Sequence, residues 1–195
     1  MGKKIFVTGI ITCILYFISV GLFLISVGLF LITKTGIALT IWELMTVFSA
    51  PVVLLILLEI GNITTTTSIY KKAMLAFMSC TCSLTGIAHI VNITVTRQLI
   101  NKGVNVPTYF QIGYWPSVEM AIDYLAWGFF TGLAFLSLSI AVDKDKHKIK
   151  KSLLICGILC LIGFFGTVFI NENIWYVAPM GYGVGTMIIC IQMLK

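Results

Sequence analysis

Apolar residues run along this chain in six long stretches, parted by short polar connections. The stretches cover 5–32, 36–60, 73–96, 118–142, 153–170 and 174–194. A helix rises about 1.5 Å per residue, so about 20 apolar residues cross a hydrocarbon core. The pattern predicts an all-α, polytopic integral membrane protein: a six-transmembrane-helix bundle forming a single transmembrane domain over residues 1–195.

Composition sharpens that picture. Of 195 residues, 59% are hydrophobic and 10% charged, where a soluble domain carries about 25% charged residues. A mean hydropathy of +1.05 leaves too little polar surface to face water. The net charge of +6 would raise nucleic acid as a partner in a soluble protein. Here the basic residues flank the apolar runs, and no basic face remains once the spans are removed, so nucleic acid is excluded.

The flanking charges also give an orientation. Lys3, Lys4, Lys71, Lys72, Lys144, Lys146, Lys148, Lys150, Lys151 and Lys195 fall on one side, and Lys34, Arg97 and Lys102 on the other. Ten against three places the first side, with both termini, in the cytoplasm. The expected location is the plasma membrane, with the bilayer itself as the first partner. The loop 143–151 reads DKDKHKIKK, a solvated anchor beside anionic head groups. The first span is too long for a signal core of about 7–15 residues and is read as retained. Its length comes from a tandem repeat, SVGLFLI at 19–25 and again at 26–32, so this helix should tilt or protrude.

Several motifs dissolve on inspection. Cys13, Cys80, Cys82, Cys156, Cys160 and Cys190 all fall toward the cytoplasmic side or mid-membrane, where disulfides do not form. They read as packing residues. The run from Gly181 to Gly185 resembles a phosphate loop but follows no strand. Gly181 and Gly185 read instead as a close-packing face, within the bundle or toward a second subunit. Pro179, just before them, is expected to kink the last helix. Asn92-Ile93-Thr94 has the form of a glycosylation acceptor but lies inside a span.

The candidate chemistry is the set of ionisable residues inside the spans. Burying one costs at least about 2.5–3.5 kcal/mol, so such residues face the bundle interior and are functional candidates. Glu43, His89 and Asp123, from three spans, all fall roughly 8–12 Å below the outer boundary. Thr81, Thr85, His89, Asn92 and Thr96 share an arc of about 80° on the third span. Glu119, Asp123 and Trp127 share a face of the fourth. Glu43, His89, Asn92, Glu119, Asp123 and Trp127 are therefore the expected ligand-binding set, in a polar pocket in the outer leaflet. Trp127 offers a ring face to a cationic ligand. The aromatic-rich loop 97–117 would serve as a lid.

Four chemistries suit such a group. It fits the binding or transport of a small molecule, coupled to protons or not. It fits an intramembrane enzyme with His89 as acid–base and Glu43 or Asp123 as partner. It fits a satisfied network in a structural or accessory subunit. A divalent metal is the weakest, since one histidine is thin support for zinc. Small-molecule binding is the leading expectation, the balance leans away from an enzyme, and the sequence names no cofactor.

Overall fold

The computed structural model describes residues 2–30, 36–65 and 69–195, with the side chains of all but 23–30. Six helices in it are long and apolar enough to cross a membrane, with mean hydropathy between 1.5 and 2.4. They are α1 (Gly2–Phe30), α2 (Ile37–Asn62), α3 (Ile69–Asn101), α4 (Val118–Ala141), α5 (His147–Phe169) and α6 (Glu172–Leu194). No strand occurs among the described residues. The second copy of the heptad repeat, and the tilt expected from it, fall outside the described side chains; Lys34 lies outside the described residues.

Each helix packs on the next in sequence, and α6 returns to α1, closing a ring. Short connections force antiparallel neighbours, which is why the order in space follows the order in the chain. The middle is filled by large side chains with almost no exposure, among them Trp127, Phe135, Ile56, Leu57 and Leu138.

Two helices outrun their apolar stretches. α3 extends to Ile69 and Asn101, past Lys71, Lys72 and Arg97, and α5 begins at His147, inside the basic run. Helix formation needs backbone hydrogen bonds, not apolarity, so lysine and arginine lengthen a span beyond its hydrophobic part. The rest of the basic loop is pinned: Asp143 accepts from the Thr65 amide at 3.0 Å and its hydroxyl at 3.1 Å.

The seam between α5 and α6 is very close. A Cβ on Gly163 would lie 2.6 Å from the Ala178 Cβ and 2.7 Å from its amide nitrogen. A Cβ on Gly181 would lie 2.6 Å from the Cys156 carbonyl oxygen, and Gly185 packs against the Cys156 thiol. The small-residue face of α6 is thus used inside the bundle. All six cysteines are free, and Cys156 and Cys160 fill this seam.

Among the described residues three spans contain a π turn: Asn92–Thr96 in α3, Leu125–Phe130 in α4 and Met180–Gly185 in α6. The last follows Pro179, which cannot donate a backbone hydrogen bond. A π turn frees a carbonyl and shifts the following side chains by one position, and such turns gather at functional sites. In α4 the Ala126 carbonyl is met by hydroxyls from two helices, Thr81 at 3.1 Å and Thr131 at 3.0 Å. Thr81, at the lower end of the polar stripe on α3, therefore serves the backbone of α4.

Candidate functional site

The site has two parts at the end of the bundle where α2, α4 and α6 begin. The first is a charged network. Glu43, near the start of α2, is fully buried. Its Oε1 accepts from the Asn92 amide at 2.6 Å, and its Oε2 accepts from the Arg97 guanidinium, which also donates to the Thr40 hydroxyl. His89 lies between two carboxylates. Its Nε2 is 3.2 Å from Asp123 Oδ1, and its Nδ1 is 3.8 Å from Glu43 Oε1. An ionised carboxylate only accepts, so opposite an ionised Asp123 the Nε2 carries the hydrogen. The Trp42 ring stands edge-on to the imidazole, with centroids 5.5 Å apart.

The geometry limits what this network can do. Glu43 and Asp123 sit on opposite nitrogens of one imidazole, so the three do not converge on a common point where a metal ion would be held. Among the described residues no three His, Cys, Asp or Glu side chains are grouped for that purpose. Every charged member already has a partner, which is how a buried charge becomes tolerable.

The structure brings Glu43, His89, Asn92 and Asp123 together, and it sets Glu119 and Trp127 apart. Glu119 is buried one turn before Asp123, and its Oε2 has no hydrogen-bond partner among the described residues. Ser117 caps this helix, accepting from the Met120 amide at 3.2 Å, and so fixes where the acidic face of α4 starts. Trp127 is buried in the π turn of α4, 4.8 Å from the Tyr182 ring. It borders a small cavity of about 20 Å³.

The open space lies beside the network. A cavity of about 460 Å³ is enclosed by α1, α2, α4, α6 and the loop before α4. Among the described residues nine of its fifteen lining side chains are aromatic. Tyr16 and Phe17 come from α1, Trp42 from α2, and Tyr114 and Trp115 from the loop. Tyr124 comes from α4, and Trp175, Tyr176 and Tyr182 from α6. Trp115, Tyr124 and Trp175 form one stack, with centroids 5.1 Å and 3.8 Å apart. The Tyr16 and Tyr182 hydroxyls are 3.3 Å apart. Glu172 and Asn173 supply the charged and polar part of the wall. Glu172, Tyr114 and Tyr176 are exposed, so the mouth reaches the surface. The loop expected as a lid thus adds Gly113, Tyr114 and Trp115 to the cavity wall.

Sequence reasoning missed Arg97 as a member of the network, treating it only as a flanking charge. In an α-helix, five residues from Asn92 rotate Arg97 about 140° off its face. The π turn at Asn92–Thr96 narrows that angle, because a turn bonded i to i+5 holds more residues and rotates each of them less. A signal did exist: a buried glutamate at this depth needs a cation, and Arg97 is the arginine of the chain.

No family model, curated protein or solved structure matches this chain. The six apolar helices make it a protein compatible with multiple membrane crossings.

Proposed function

We propose that this is a multi-pass membrane protein that binds a small molecule in the aromatic cavity, with the Glu43–Arg97–His89–Asp123 network as the support beneath it. The observation that carries the reading is the cavity itself. Its volume of about 460 Å³ falls within the about 300–1,000 Å³ of ligand sites, and its lining joins many apolar rings to a few polar groups. The orientation expected from the lysines puts the mouth outside the cell, where it would meet a ligand before any transport step.

Native mass spectra of the intact protein, released from lipid nanodiscs, test this against Trp175→Ala. The expected result is an extra mass on the wild type that is lost from the variant, with the fold of both retained by circular dichroism. A bare mass in both proteins would sink the reading.

A second reading, a structural or accessory subunit, is favoured by one observation: each charged group of the network is taken up by another. It predicts lowered stability, and no lost ligand, when the network is cut.

A further inference from the structure

We propose that the cavity takes a small organic cation, a quaternary or alkylated ammonium, held by ring faces and by the Glu172 carboxylate at the mouth. This rests on the reading of the cavity as a ligand site and adds the chemical class.

Three observations converge on positive charge. Glu172 is the charged residue of the lining, and no lysine, arginine or histidine joins it among the described residues. Aromatic rings present a negative face, so a cage of tyrosine and tryptophan draws a desolvated cation and repels an anion. Behind the wall, Glu43, Glu119 and Asp123 stand with Arg97 as the single formal cation when His89 is neutral. With all three carboxyls ionised, the excess negative charge lies in a medium of low dielectric, where its field reaches far.

This end of the molecule therefore runs against the whole. The chain carries a net +6, but most of its lysines crowd the opposite end of the bundle. A phosphate or carboxylate ligand would enter a wall with no donor cation and one repelling carboxylate. A neutral ligand would leave Glu172 unused.

The test compares two molecules of one shape. Protein in nanodiscs is titrated with benzyltrimethylammonium and with its uncharged isostere neopentylbenzene, read by tryptophan fluorescence. The expected outcome is saturable binding of the cation, weakened about tenfold by Glu172→Gln, as a desolvated cation beside rings and a carboxylate requires. Glu172 is exposed, so its variant tests charge and not folding. Equal binding of both molecules, or no effect of Glu172→Gln, would overturn the cation class. In that case an extra mass in the native spectra still upholds the ligand-site reading, and its absence removes both.

Discussion

The two parts of the site use polar chemistry in opposite ways. The network spends its strongest groups on one another: a buried histidine and two buried carboxylates, with an arginine that is only partly exposed. The cavity next to it has a mouth on the surface and is built mostly of rings, with a single carboxylate. Ionisable residues in a membrane therefore mark where helices are locked together as readily as where a ligand sits. In this molecule the lock joins α2, α3 and α4, and the open volume lies on the side of α1 and α6.

The comparison breaks most sharply at Arg97. Arg97→Leu leaves Glu43 buried and charged with only Asn92 to hold it, which costs about 3–5 kcal/mol. Glu43→Gln should cost distinctly less. The Arg97 side chain retains 16% exposure, and a long cation released from its partner turns toward the interface. Unfolding by sodium dodecyl sulfate, followed by circular dichroism, reads both. Equal losses, or none, would mean that the pair does not lock α2 to α3.

The next effect concerns the cavity's far wall. Trp175 and Tyr182 are held in place by the seam of α6 on α5. Gly163→Val would push a side chain into the Ala178 backbone, which cannot yield as a flexible side chain does. The expected cost is about 1–3 kcal/mol, with a fall in ligand retention because the wall moves. Gly86→Ala on α3 is the control. Nothing lies within 4 Å of its Cβ, and a helical glycine replaced by alanine should gain about 0.5–1 kcal/mol. A destabilised Gly86→Ala, or a harmless Gly163→Val, would show that close approach is not what positions α6.

How much of this was legible follows from which periodicity each feature obeys. The six spans were readable because apolar length is a crude signal that survives any local irregularity. The stripe of Thr81, Thr85, His89, Asn92 and Thr96 was readable because four of its members precede or open the π turn, and all five are buried. Arg97 lies beyond that turn, where α-helical counting points to the wrong face. Trp127 and Tyr182 sit inside π turns themselves, so their neighbours could not be counted out. The cavity was hidden for a different reason. Its walls come from four helices and a loop, and no pattern along one helix records a gap between several.

The smallest effect separates ring from hydroxyl within the cavity. Tyr16 and Tyr182 meet through their hydroxyls at 3.3 Å, both buried. Tyr182→Phe removes one partner but keeps the ring against Trp127 and near Trp175. The loss of that hydrogen bond should cost about 0.5–1.5 kcal/mol. Binding of benzyltrimethylammonium should stay within about twofold, because the ring faces that attract it are unchanged. Tyr182→Leu, which discards the ring, should weaken that binding well beyond twofold. If Tyr182→Phe abolished binding instead, the hydroxyl pair and not the aromatic wall would be the recognising group, and the cavity would rank with the network as a polar site.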